Sequence, residues 1–210
     1  MNYLIILYLS NIKQHAMNFK NTLLLALLLS VFAGVANAQN YPLNRQKTVG
    51  LLIDYPIMEE KLPESTGGYN PLLIQANFRF PLIKNNGLHQ ATLYVTPQFN
   101  PVLPIPGYDK FLFEAGVNLG IAYEYYVPNK AILFFGAGVG PHYINIVTNK
   151  QANGFIFSDN VFAGVHQIIS PKWMVTYQVK LRHISNAGLQ QPNGGIDNLF
   201  AGMGVSYFIR

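Results

Sequence analysis

From Gln39 onward, eight stretches of this chain alternate apolar with small or polar side chains at a period of two, each about ten residues long. The clearest carries Phe111, Phe113, Ala115, Val117, Leu119, Ile121, Tyr123 and Tyr125 on one parity and Leu112, Glu114, Gly116, Asn118, Gly120, Ala122 and Glu124 on the other. Successive side chains of a strand point to opposite faces, so such a run is a strand with one greasy face and one that suits a narrow polar interior. The pattern recurs at Val49 to Tyr55, Leu72 to Phe80, Ala91 to Phe99, Leu133 to Tyr143, Phe155 to Val165, Trp173 to Ser185 and Asp197 to Ile209. A membrane helix needs roughly 20 consecutive apolar residues. After Ala38, charged or turn-forming residues interrupt every apolar run.

Strands of about ten residues cross a bilayer when tilted, and an even number of them closes into an antiparallel up-and-down barrel with no free edge. Composition favours the membrane version. Half of the chain is hydrophobic, 13% is aromatic and only 11% is charged, against ~25% charged in soluble domains. The expected fold is an all-β, eight-stranded antiparallel transmembrane barrel, with residues 39–210 as a single domain.

Connections alternate in length. Pro56 to Asn70, Asn100 to Lys110, Val147 to Asn153 and Asn186 to Ile196 are the longer ones, whereas Asn85-Asn86-Gly87, Val127-Pro128-Asn129-Lys130 and Ser170-Pro171 read as tight turns. Outer-membrane barrels carry long loops outside and short turns in the periplasm, which puts both termini in the periplasm. The inward parity holds Asp54, Arg79, Glu114, Glu124, Lys180 and Arg182, able to pair in the lumen, with His142, His166, Phe200 and Phe208 as interior groups. Gly136, Gly138 and Gly140 leave room for bulky neighbours. Eight strands enclose an interior just filled by side chains, so a plugged scaffold is expected rather than a pore.

Ahead of this region, Met17 to Ala38 combines a basic start at Lys20, an apolar stretch from Leu23 to Val35 and Ala36-Asn37-Ala38 as a small-x-small cleavage signal. It reads as a secretory signal peptide, with residues 1–16 upstream of the working start at Met17. Without Lys13 and Lys20, the 14 basic residues fall to 12 against 9 acidic, a net charge of +3. No dense Lys/Arg cluster points to nucleic acid. The chain has no cysteine, which excludes disulfides, zinc-thiolate sites and a thiol nucleophile. No cofactor or metal motif is recognisable.

Chemistry-bearing residues gather at one rim. In the seventh run, His183 and Ser185 share the parity of Trp173, Val175, Tyr177, Val179 and Leu181, and in the eighth Asp197 shares that of Leu199, Ala201, Met203, Val205, Tyr207 and Ile209. All three fall at the extracellular end of the lipid-facing wall. A base, a hydroxyl and a carboxylate are the parts of a serine esterase. Residues two apart on a strand stand about 6.6 Å apart at Cα, within reach of an imidazole leaning along it. Taken singly, a rim histidine is commonly an interfacial residue, and an aspartate there a strand-start residue; convergence on one patch favours catalysis.

The segment His183-Ile184-Ser185-Asn186-Ala187-Gly188, followed by Gln191-Pro192-Asn193-Gly194-Gly195-Ile196-Asp197, resembles the signature of the outer-membrane lipid A 3-O-deacylases, the PagL-type family. The resemblance covers about thirty C-terminal residues, and the remainder matches as an eight-stranded barrel. It implies an enzyme that removes the ester-linked acyl chain at position 3 of lipid A, with Ser185 as nucleophile, His183 as base, and Asn186 and Gly188 as oxyanion donors. The implied partner is lipid A or lipopolysaccharide in the outer leaflet among membrane lipids, and homodimerisation is compatible with the fold. The family's third member is usually a glutamate, whereas this chain has Asp197, one methylene shorter; Glu59, Glu60 or Glu64 of the first long loop are alternative orienting groups. Leu181, Leu199 and Ala201 could line an acyl groove. The rival readings are a non-enzymatic barrel acting as envelope anchor or binding through its loops, and an acyltransferase using the same nucleophile.

Overall fold

The computed structural model describes residues 46–62, 67–82, 88–127 and 131–209. Within them run eight strands: β1 (Lys47–Glu59), β2 (Leu73–Pro81), β3 (His89–Pro101), β4 (Phe113–Val127), β5 (Ala131–Ile144), β6 (Gly154–Ile168), β7 (Trp173–Ser185) and β8 (Ile196–Ile209). Each pairs antiparallel with its sequence neighbours, and β1 pairs with β8 to close the barrel. The expected signal peptide, the Asn85-Asn86-Gly87 turn, most of the 127–130 turn and Glu64 lie outside the described residues.

The period-two pattern sets which face is which. Leu119, Ile121, Phe135, Val139, Val161, Val179, Leu181 and Met203 point outward and are exposed, while the residues between them are mostly buried. Most strands run a few residues beyond the expected bounds, and two differences change the reading. β4 begins at Phe113 rather than Phe111. β1 continues through Pro56 to Glu59, which the proline had suggested was loop. Proline cannot donate a ladder hydrogen bond and is tolerated in sheets at bulges. Here Pro56 pairs with Phe200 and the register slips by one before Met58 pairs with Leu199. That bulge reverses the parity of everything after it. Met58, which an unbroken alternation from Asp54 would bury, is 65% exposed.

The lumen is filled in layers. Near the periplasmic end, Arg79 grips Glu124 through Nε at 2.7 Å and again through Nη2, and Tyr94 donates to Glu124 at 2.7 Å. His166 lies beside them, 2.9 Å from the Tyr94 hydroxyl and 2.8 Å from that of Thr176. At mid-height, Lys180 meets Asp54 at 2.7 Å, and Gln75 and Gln178 donate to the same carboxylate. Nearer the extracellular end, Arg182 makes a bidentate pair with Glu114 at 2.7 and 2.8 Å, while Asn100 and Tyr69 also donate to Glu114. All six inward charges expected from parity are thereby paired. Such pairs offset a desolvation cost of several kcal/mol per ion only when every lone pair is engaged, which the added Tyr, Asn and Gln donors accomplish. Among the described residues, a lumen cavity of about 30 Å³ is bordered by Leu52, Tyr94, Asn118 and Phe134. It has room for one or two waters and is no channel.

Apolar clusters close both ends. Tyr126, Ile132, Ile168, Met174 and Phe208 seal the periplasmic end. Leu62, Tyr69, Val102, Ile105, Leu112, Ile144, Ile146, Ile156, Ile184 and Ile196 cap the extracellular end. This cap draws on strand ends and outer loops together, so it holds the rim rigid where the candidate chemistry lies.

Candidate active site

The rim of β7 and β8 is set by a buried pair. Ile184 and Ile196 are direct cross-strand partners, fully buried in the extracellular cap. Because alternate side chains face opposite ways, pinning Ile184 inward turns His183 and Ser185 outward, and pinning Ile196 turns Asp197 outward. His183 and Asp197 are the next partners in register. Their side chains are 42% and 76% exposed, and His183 Nδ1 lies 2.8 Å from Asp197 Oδ1.

Directly opposed side chains on one sheet face start about 4.5–5.5 Å apart at Cβ. A short acid therefore suffices to meet the imidazole. Since a carboxylate only accepts, Nδ1–H is the donor of this contact, and Nε2 is left for a partner other than Asp197. Glu60 makes no hydrogen bond to the ring among the described residues: its Oε2 accepts from the backbone N–H of Asp197 at 2.8 Å. Glu59 lies against Gly68.

The ring fills the place of a missing side chain. Gly195 directly precedes Ile196, the first residue of β8, and has φ +71°. A Cβ there would sit 2.3 Å from His183 Cε1 and 2.8 Å from Nε2. The Cε1–Nε2 edge of the imidazole thus occupies the space above Gly195. Ser185 is half-buried on the same face, opposite Phe157 of β6. No hydrogen bond joins it to His183 among the described residues; catalytic hydrogen bonds of this kind are often long before substrate binds. Asp159 of β6 is the cross-strand partner of His183 on the side away from Asp197, and it is exposed.

The β7 to β8 loop is tied down by its own polar groups. Asn186 receives on Oδ1 the N–H of Gly188 at 3.0 Å, donates through Nδ2 to the Gln190 carbonyl at 2.7 Å, and gives its backbone N–H to Asn193 Oδ1 at 2.8 Å. Ala187 and Gly188 are both left-handed, at φ +53° and +80°. Ladder-like bonds from Ala152 to Pro192 and from Gly194 to Lys150 fasten this loop to the one between β5 and β6. Lys150 also forms an ion pair with Glu60. Beneath the rim, Asn198 turns inward and donates to the Tyr69 carbonyl at 2.7 Å. Burial, with the neighbouring Glu114 carboxylate, pushes the Tyr69 hydroxyl well above its usual pKa.

Of the residues named from sequence, the fold brings His183 and Asp197 into contact and sets Ser185 on their face, one step along. Asn186 and Gly188 lie just beyond, their donors engaged within the loop. Leu181 is exposed and Leu199 half-buried on the outer wall, while Ala201 is buried. Sequence reasoning missed Lys150, Asp159 and the steric role of Gly195. The strand parity of β6 already put Asp159 outward; nothing in the pattern signalled the other two. Among the described residues no group of three or more His, Asp or Glu side chains could hold a metal ion.

Residues 72–206 match the sequence model of the family described as lipid A 3-O-deacylase (PagL). The chain belongs to that family. PagL proteins form an outer-membrane enzyme family, and the eight-stranded closed barrel is the corresponding architecture. The crystal structure of the outer membrane enzyme PagL is similar to this one with a TM-score of 0.51 at 16% identity, covering 75% of this chain and 97% of that one. Neisserial surface protein A gives 0.44 at 12% identity, covering 78% and 95%. The Yersinia pestis outer membrane protein Ail in a phospholipid bilayer nanodisc gives 0.38 at 11%, covering 77% and 99%. No curated protein matches the chain by sequence. The PagL-matched span includes all of β7 and the β7 to β8 loop, but begins at residue 72, after Glu60.

Proposed function

We propose that this protein is an outer-membrane serine esterase that hydrolyses the ester-linked acyl chain at position 3 of lipid A. The observation that carries the reading is the 2.8 Å His183–Asp197 contact on the lipid-facing wall, one step from a hydroxyl on the same face. Membership of the PagL family supports the substrate class. Lipid A lies in the outer leaflet with its ester linkages near the sugar headgroup, level with this rim, so the ester reaches the site from the membrane without entering the plugged lumen.

In the proposed mechanism, Ser185 Oγ attacks the ester carbonyl as His183 Nε2 takes its proton, and Asp197 holds Nδ1–H and stabilises the imidazolium. The tetrahedral intermediate collapses with loss of the sugar 3-oxygen, which His183 protonates. Water, deprotonated by His183, then releases the fatty acid and restores Ser185. Asn186 and Gly188 are the proposed oxyanion donors, each exchanging an acceptor inside the loop for the developing charge. Leu181 and Leu199 would guide the acyl chain.

The test is to express wild type and Ser185→Ala in a Gram-negative host and weigh the lipid A, with barrel insertion checked by heat-modifiable migration. Loss of one acyl chain with wild type and not with the variant is expected. Equal acylation with both proteins inserted would reject the reading in favour of a non-enzymatic barrel, and acyl transfer to another lipid in place of free fatty acid would favour an acyltransferase.

A further inference from the structure

The catalytic acid proposed above sits at a place where the barrel wall runs out. β1 ends at Glu59, whose partner on β8 is Asn198. The next residue of β8 is Asp197, so its backbone N–H faces a strand that is no longer there. Glu60 fills the gap with its side chain: Oε2 accepts the Asp197 N–H at 2.8 Å, standing in for a ladder carbonyl. Its other oxygen, Oε1, receives Lys150 Nζ from the loop between β5 and β6, on the far side of the catalytic strands. Lys150 in turn accepts the Gly194 N–H on its carbonyl at 2.6 Å, next to the glycine on which the imidazole rests.

Two connections therefore converge on the His183–Asp197 pair from opposite sides, both through the Glu60–Lys150 contact. The arrangement depends on the bulge between Pro56 and Met58, which shifts β1 by one residue and brings Glu60 beside Asp197. Both side chains keep part of their surface, at 33% for Lys150 and 24% for Glu60, so this pair is no core element. We infer that Glu60 and Lys150 are positioning residues for the deacylation reaction, holding the Asp197 backbone so that its short carboxylate stays aimed at His183 Nδ1. The inference rests on the esterase reading. It accounts for how an acid one methylene shorter than glutamate keeps its contact at the frayed end of a strand.

Neither residue touches the ester, so their loss should lower kcat and leave KM nearly unchanged. The experiment compares the full-length chain, purified and inserted in mixed micelles with lipid A, as wild type, Glu60→Ala, Glu60→Gln, Lys150→Met and Ser185→Ala, with rates normalised to the heat-modifiable fraction. A charge-assisted hydrogen bond lost at the acid corresponds to a fall in kcat of about tenfold for Glu60→Ala. Glu60→Gln keeps an acceptor oxygen and should recover to within about threefold of wild type, and Lys150→Met should fall between the two. The downfield Nδ1–H proton resonance of His183 should weaken in Glu60→Ala and persist in Glu60→Gln.

Wild-type kcat in Glu60→Ala and Lys150→Met, with Ser185→Ala inactive, would overturn the positioning role and leave the esterase reading standing. A loss confined to the folded fraction, with normalised kcat unchanged, would overturn it equally. If Glu60→Ala does not fold, Lys150→Met decides, because it removes no backbone bond: an unchanged kcat there overturns the inference. Full activity in Ser185→Ala would bring down the esterase reading and this inference with it.

Discussion

Gly195→Ala is the sharpest test of how the candidate site is built. The substitution adds one methyl group, which would stand 2.3 Å from His183 Cε1 and 2.8 Å from Nε2. Carbon atoms settle at about 3.5–4.0 Å, so the ring must retreat by about 1 Å or more. The residue also has φ +71°, which costs an L-residue about 1–2 kcal/mol. The strain lowers stability modestly, but displacement of the ring disturbs the His183–Asp197 contact and moves the proposed base away from its place on the face that carries Ser185. A 1 Å misplacement of a reacting group costs on the order of 10²-fold in rate. Gly194→Ala is the internal control, since its Cβ would meet nothing nearer than the Lys150 carbonyl oxygen at 3.5 Å, an ordinary contact. Deacylation kcat/KM on lipid A in mixed micelles, normalised to folded barrel, should fall about a hundredfold for Gly195→Ala and stay within about twofold of wild type for Gly194→Ala. Equal values for the two folded variants would refute the reasoning, because the ring would then not depend on the space above Gly195.

Two further substitutions probe the scaffold. Glu114→Ala leaves Arg182 buried without its carboxylate; it should destabilise the barrel by about 3–5 kcal/mol, and an unchanged denaturant midpoint in micelles would contradict the layered lumen described here. Ile184→Ala hollows the extracellular cap beneath His183 and Ser185. A loss of about 2–5 kcal/mol is expected, together with a fall in kcat, and a stable variant with full activity would show that the cap does not set the rim.

The barrel was legible because its cause is local and repetitive. Lipid outside and a crowded polar lumen inside impose the same alternation on every strand, so parity alone sorted Leu119, Leu181 and Met203 outward from Arg79, Glu114 and Arg182 inward. The same count set His183, Ser185 and Asp197 on one face, because the strands that carry them are unbroken. It ended at Tyr55, before Pro56, whereas β1 runs on through a bulge that adds a residue and reverses the faces beyond it, so that Glu60 meets Asp197 on the rim. Lys150 lies in a loop, where no periodicity applies, and Gly195 matters through an atom it lacks.

From its residues alone the chain declared a closed membrane barrel, its polar filling and the strand ends at which catalytic-type side chains collect, since period-two alternation is a property each strand carries by itself. Which acid touches the imidazole and which loop backs the ring depended on cross-strand register and loop contacts, and which carboxylate holds that acid's backbone depended also on a one-residue slip in β1. The last is a relation between Glu60 and Asp197, more than a hundred residues apart, and it exists only once the last strand has closed on the first.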